Sequence, residues 1–161
     1  MSDAENTLIM KLDGGDVTIK LRPDLAPKHV ERIKELAREG FYDGLTFHRV
    51  IDGFVAQGGC PQGNGMGGSG KKLPAEFNSG KHVRGTCSMA RAQNPDSADS
   101  QFYICLDDVS YLDGQYTVWG EVTDGMDLGL AGYESIKLDG KVIYGQAWVN
   151  VNAGNMADYP F

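Results

Sequence analysis

Leu8, Met10 and Leu12 alternate with more polar positions, and after Asp13-Gly14-Gly15 the alternation resumes at Val17, Ile19 and Leu21. A period of two on both sides of a glycine-bearing turn predicts a β-hairpin. The period then changes. Val30, Ile33, Leu36 and Ala37 make an apolar stripe at helical spacing, behind Pro27, which suits a first helical position, and ahead of Gly40, which suits a stop. A helix is predicted over about residues 27–39. From Phe41 onward the apolar runs are short and punctuated by Gly, Asp, Asn and Pro: LTFHRVI, GFVAQG, GTCSMARA, SQFYICL, TVWGEV, KVIYG and AWVNV. Many short strands with few helices predict an antiparallel barrel or sandwich. MDLGLAGYESI offers a second short helix, weakened by Gly129 and Gly132. Residues 152–161, NAGNMADYPF, read as a surface tail.

Composition narrows the class. A chain of 161 residues fits one domain spanning residues 1–161, with 1–6 and about 152–161 as tails, and is long enough to bury roughly two thirds of its unfolded surface. Apolar residues are 41% and charged residues 23%, and no run approaches the length of a membrane span, so a soluble protein without a membrane partner is expected. The opening MSDAENT has neither a basic nor an apolar leader region, which makes the cytoplasm the default compartment. A formal charge of -7 with no cluster of lysines or arginines argues against nucleic acid as a partner. Cys60, Cys87 and Cys105 are widely spaced, as are His29, His48 and His82. Neither set has ligand spacing, so the expectation is free thiols, no disulfide and no metal.

One motif invites a nucleotide-binding reading. GNGMGGSGKK contains Gly63-x-Gly65-x-x-Gly68 and, overlapping it, Gly65-x-x-x-x-Gly70-Lys71. Both patterns need a helix to begin at their last glycines, so that backbone N–H groups face the phosphate. LPAEF follows here instead, and Lys72 stands where a phosphate loop needs Ser or Thr. The stretch reads as a flexible surface loop. Hydrolytic templates also fail, since no G-x-S-x-G elbow occurs.

Three ordered segments carry the remaining signal. The first is Phe47-His48-Arg49-Val50-Ile51-Asp52-Gly53-Phe54-Val55-Ala56-Gln57-Gly58-Gly59. The second is Ser88-Met89-Ala90-Arg91-Ala92, followed past Asn94-Pro95 by Ser100-Gln101-Phe102-Tyr103-Ile104. The third is Tyr111-Leu112-Asp113-Gly114 with Tyr116, leading into Val118-Trp119-Gly120-Glu121-Val122. In order and spacing these resemble the cyclophilin family of peptidyl-prolyl cis-trans isomerases in its short, bacterial-like form, over roughly residues 7–126.

The resemblance implies a mainly β fold, a closed antiparallel barrel of eight strands with two capping helices. It implies isomerisation of X-Pro bonds in proline-containing polypeptides by a monomer, assisting folding without a cofactor, metal or covalent intermediate. By similarity Arg49 is the catalytic residue. Phe54, Val55, Tyr103 and Leu112 form an apolar proline pocket, Gln57 and Gln101 hydrogen-bond the substrate backbone and orient Arg49, and backbone groups near Ala90 and Arg91 hold the residue before the proline. Tyr111 and Tyr116 complete the substrate-binding set. Taken singly, Arg49 reads as a solvated or salt-bridged strand face and Phe54 and Tyr103 as core aromatics; only their joint spacing reverses that. His48 stays unassigned.

The departures from the family's pattern are Val55 for a common Met, Tyr103 for a frequent Phe, and Tyr111 and Tyr116 for a common Trp and His. Without the tryptophan N–H, weakened affinity for cyclosporin is expected. A non-catalytic proline-peptide-binding module of the same fold is the alternative, disfavoured because binding alone would tolerate loss of Arg49.

Overall fold

The computed structural model describes residues 6–12, 15–42, 45, 47–51, 53–126, 135–138 and 141–144. Nine strands and one α-helix follow in the order β1 (Thr7–Leu12), β2 (Gly15–Leu21), α1 (Pro27–Arg38), β3 (Arg49–Ile51), β4 (Val55–Gly58), β5 (Thr86–Met89), β6 (Phe102–Cys105), β7 (Val118–Asp124), β8 (Ser135–Leu138) and β9 (Lys141–Tyr144). They form one sheet, ordered β3-β4-β6-β5-β7-β2-β1-β8-β9, in which every neighbouring pair is antiparallel.

The fold is therefore mainly β, and the described residues differ from the expectation in two respects. The sheet has nine strands rather than eight, and its ends, β3 and β9, do not pair with each other among the described residues. Of the two helices expected, α1 is the one α-helix among the described residues. Of the segment read as a second helix, Ser135 and Ile136 open β8, where pairing with β1 satisfies their backbone groups. Residues 127–134 lie outside the described residues, as do AWVNV and the tail at 152–161; of the other tail, Asn6 alone is described.

Helix α1 begins without a capping side chain of its own, because Ala26 occupies the N-cap. Its first donors are nevertheless accounted for. Pro27 has no N–H, Val30 N–H donates to Ala26 O at 2.9 Å, and Lys28 and His29 N–H donate to the carboxylate of Glu76 at 3.1 and 2.8 Å. A loop residue 47 positions downstream thus supplies both the acceptor and the negative charge that a helix N-terminus favours. At the other end Gly40 adopts φ 79°, Phe41 N–H donates to Leu36 O, and Gly40 N–H donates to Ala37 O. That paired closure is the Schellman motif, and it needs a residue free to adopt a positive φ.

The alternation of strand side chains divides the middle of the sheet into two apolar bodies. Ala56, Cys87, Met89, Phe102 and Ile104 point into the main core with Leu8, Met10, Val17, Ile19, Leu21 and the α1 stripe Val30, Ile33, Leu36 and Ala37. Their neighbours Val55, Tyr103 and Cys105 belong to a second, smaller cluster with Ala90 and Val109, against which Phe54, Leu112 and Tyr116 pack. Strands β4, β5 and β6 are buried at every position because both of their faces are covered. The three thiols are free and buried.

Candidate active site

Strand register brings the polar residues together. Arg49 pairs with Gln57, Gln57 with Tyr103, and Tyr103 with Ser88, across β3, β4, β6 and β5. Directly opposed residues share a face. Arg49, Gln57, Tyr103 and Ser88 therefore form one row on the face that carries the smaller apolar cluster, although in sequence they span positions 49 to 103. Phe54 sits on the turn between β3 and β4, its N–H donating to Ile51 O at 3.0 Å. That turn sets its ring 6.0 Å from the Arg49 guanidinium carbon.

Arg49 is half-buried, and burial brings its pKa down to about 10, with Tyr116 opposing the shift. Its charge is retained throughout the neutral range. Gln57, 3% exposed, donates through Nε2 to Gln101 Oε1 at 3.0 Å. Gln101 Nε2 in turn donates to Gly65 O and Gly67 O, both at 2.9 Å. The glycine-rich stretch thereby becomes a wall of the site. Gly59 makes the approach possible: its φ is 87°, and a Cβ there would lie 2.5 Å from Ser100 O. Glycine is the residue that fits both constraints.

Behind the row lies a buried relay that the sequence reading did not identify. His82 Nδ1 is 3.0 Å from Asp113 Oδ1, and His82 Nε2 is 3.0 Å from Tyr103 Oη and 3.3 Å from Ser88 Oγ. The Asp113 carboxylate can only accept, so Nδ1 carries the ring proton, and Nε2 accepts a hydrogen bond from the Tyr103 hydroxyl. Ser88 Oγ donates to Thr117 O at 2.9 Å. The relay ties β5 and β6 to the loop bearing Leu112 and leaves the Tyr103 ring facing the apolar cluster. Burial raises the Tyr103 pKa, keeping its hydroxyl protonated, and lowers that of His82 against the opposing pull of Asp113. Asp113 stood within the third sequence segment, but nothing in the spacing linked it to His82.

The remaining expected residues fall around this row. Leu112 and Tyr116 are half-buried against the apolar cluster. Tyr111, 65% exposed, stacks on Phe54 with centroids 6.3 Å apart. Arg91 lies with its guanidinium 4.7 Å over the Tyr116 ring. Beside Ala90 and Arg91 opens a groove of about 330 Å³, which shares Gln57 with the row and is lined by its partner Gln101 as well. Of the expected site residues, Val55, Ala90 and Tyr103 belong to the smaller apolar cluster with Phe54, Leu112 and Tyr116 packed against it, while Gln57, Ala90, Arg91 and Gln101 line the groove. Among the described residues no cluster of His, Cys, Asp or Glu could hold a metal, and no helix is long and apolar enough to cross a membrane.

Comparison with known proteins points the same way. A family model described as Cyclophilin type peptidyl-prolyl cis-trans isomerase/CLD matches residues 7–143. The chain is 56% identical over 138 residues to a probable peptidyl-prolyl cis-trans isomerase of Brucella suis, a match covering 78% of this chain and 70% of that protein. It is 49% identical over 117 residues to peptidyl-prolyl cis-trans isomerase B of Bacillus subtilis, covering 71% of this chain and 81% of that one. A solved cyclophilin-type isomerase of Cryptosporidium parvum, crystallised in the presence of the dipeptide Ala-Pro, is similar at TM-score 0.72 and 32% identity, covering 76% of this chain and 81% of that chain.

Proposed function

We propose that this chain, which belongs to the cyclophilin-type peptidyl-prolyl cis-trans isomerase family, turns X-Pro bonds by holding the proline ring in the apolar hollow and stabilising the twisted amide with Arg49. Family membership carries the activity itself: the chain is a peptidyl-prolyl isomerase. The route is the proposal.

Amide resonance sets a rotation barrier of about 18–20 kcal/mol, so an X-Pro bond turns in tens of seconds or longer unaided. At the top of the barrier the nitrogen has lost its conjugation and become pyramidal and basic. A donor fixed beside it is worth more there than in either ground state. Arg49 suits that task, because its fork of N–H groups is rigid and its charge persists. A turnover of about 1,000 per second against about 0.01 unaided requires about 7 kcal/mol. One charged donor supplies about 3 to 4 kcal/mol of this. Phe54, Val55, Tyr103 and Leu112 supply the rest by gripping the ring while the preceding residue swings, with backbone groups near Ala90 and Arg91 aligning that residue. Gln57 and Gln101 hold the substrate backbone and the direction of Arg49. No step calls for a metal, a cofactor or a covalent intermediate, and the substrate is unfolded or flexible polypeptide containing proline.

The observation that supports this most directly is the register that sets Arg49 opposite Gln57, and Gln57 opposite Tyr103, on the face of the apolar hollow. The test is catalysed cis-trans exchange on a short X-Pro peptide. Arg49→Ala is expected to lower kcat/KM by about 100- to 1,000-fold with an unchanged fold. Arg49→Lys should recover only part of the loss, since an ammonium cannot reproduce the fork. A folded Arg49→Ala enzyme working at the wild-type rate would remove Arg49 from the mechanism.

A further inference from the structure

We infer that the groove beside the proline hollow selects a carboxylate side chain two residues before the proline, with Lys72 as the residue that sets the preference. The inference rests on the substrate alignment proposed above, in which the residue before proline lies along Ala90 and Arg91, so that the next residue toward the N-terminus enters the groove.

Three charged residues line that groove: Lys72, Arg91 and Asp99. Asp99 is turned to structural use. Its Oδ1 accepts from Ser69 N–H at 2.7 Å and Ser69 Oγ at 2.6 Å, and its Oδ2 accepts from Gly70 N–H at 3.1 Å. The backbone at Gly68 lies so close that a Cβ there would be 2.6 Å from Asp99 Oδ2. Donors and loop backbone thus hold this carboxylate, and with Lys72 and Arg91 the groove carries two cations against one anion.

Arg91 is held in the same way, by neutral groups. Its Nε and Nη2 donate to Gln115 O, and its Nη1 donates to Ala92 O and Gln93 O. All of these acceptors are neutral carbonyls, so the guanidinium is held in place while its charge stays uncompensated. The Tyr116 ring beneath it adds a cation–π contact. Lys72 is exposed, and neither cation forms an ion pair among the described residues. A chain of net charge -7 therefore presents a small positive surface at this one functional edge.

The chain's overall charge would repel an acidic peptide from afar. At physiological ionic strength that field is screened beyond about 8 Å, whereas contact with the two cations is not. The local term decides the preference. An exposed ion pair contributes about 0.2–1 kcal/mol. Because Arg91 is already ordered by its carbonyls, only the Lys72 side chain loses freedom on binding. A two- to fivefold gain in kcat/KM is expected.

The experiment uses blocked peptides acetyl-X-Ala-Pro-Phe-amide, with X as Glu, Gln or Lys, and reads kcat/KM by NMR exchange. The expected order is Glu above Gln above Lys, each step about two- to fivefold. The Glu-to-Gln ratio should fall toward one in Lys72→Gln, invert in Lys72→Glu, and shrink in 0.5 M NaCl. Acetyl-Ala-Ala-Pro-Phe-Glu-amide, with its charge beyond the proline, should show no gain over its Gln counterpart. Equal rates for Glu and Gln, a ratio indifferent to Lys72, or a preference confined to the downstream charge would each overturn this inference and leave the isomerase intact. Absence of exchange on every peptide would overturn the isomerase reading, and this inference with it.

Discussion

Tyr103 presents an apolar ring to the hollow and a hydroxyl to His82, so its two ends answer to different requirements. In Tyr103→Phe the ring remains while one buried hydrogen bond is lost. The expected outcome is a stability loss of about 1 kcal/mol in urea denaturation, with kcat/KM within about twofold of wild type. His82→Ala is harsher, because it removes the imidazole's hydrogen bonds to both Tyr103 and Asp113 and empties a fully buried site. That variant should lose about 3 kcal/mol and yet keep far more activity than Arg49→Ala. If it proved as stable as wild type, the relay would have no structural role. Among single residues, Arg49, Phe54, Gln57 and Gln101 stood out as candidates because they occupy a spaced motif. His82 did not: an isolated histidine has no periodicity, and its partners come from three other segments. Lys72 went unread for a related reason, since a lysine in a glycine-rich loop acquires meaning only from the groove it borders.

At the scale of elements, the start of α1 depends on a residue remote in sequence. Glu76 accepts from Lys28 and His29 N–H, and its Oε1 lies 2.6 Å from His29 Nδ1. Replacement by Ala removes the cap and the charge and leaves a buried imidazole nitrogen without that partner. A loss of about 2 kcal/mol is expected, with Glu76→Gln milder because one oxygen acceptor survives. Urea midpoints with an unchanged m-value would measure it, and a Glu76→Ala protein of wild-type stability would refute the cap. The helix itself was plain from Val30, Ile33, Leu36 and Ala37 between Pro27 and Gly40, and its predicted span differs by one residue from Pro27–Arg38. The strand runs were also recognisable, although LTFHRVI yields only Arg49–Ile51 as strand. Ser135 and Ile136 misled because short apolar stretches suit either element, and the β1 edge supplied the deciding backbone partners.

For the whole molecule, acid should destabilise through buried histidines. His48, 2% exposed, has its pKa brought down to about 4 by burial and then by Arg49, while burial also lowers His29 and His82. Below about 6.5 the unfolded chain binds protons that the native chain refuses, so stability falls as pH drops toward 4. His48 alone accounts for about 3 kcal/mol across that window. Glu76 and Asp113, whose pKa values are lowered despite the opposing effect of burial, add to the loss at more acid pH. Relief of the -7 net charge acts in the opposite direction, so unfolding midpoints that decline between pH 6.5 and 4.5 would isolate the histidines, and midpoints that stay level would contradict this assignment. The sequence by itself determined the β-rich class, the amphipathic helix and the family, because periodicity and motif spacing are properties of the chain. Only the tertiary structure decided that Arg49, Gln57, Tyr103 and Ser88 share one row, that Glu76 caps α1, and that Lys72 and Arg91 border one groove. Those relations arise from strand register and loop closure, which are settled by contacts between segments far apart in the chain.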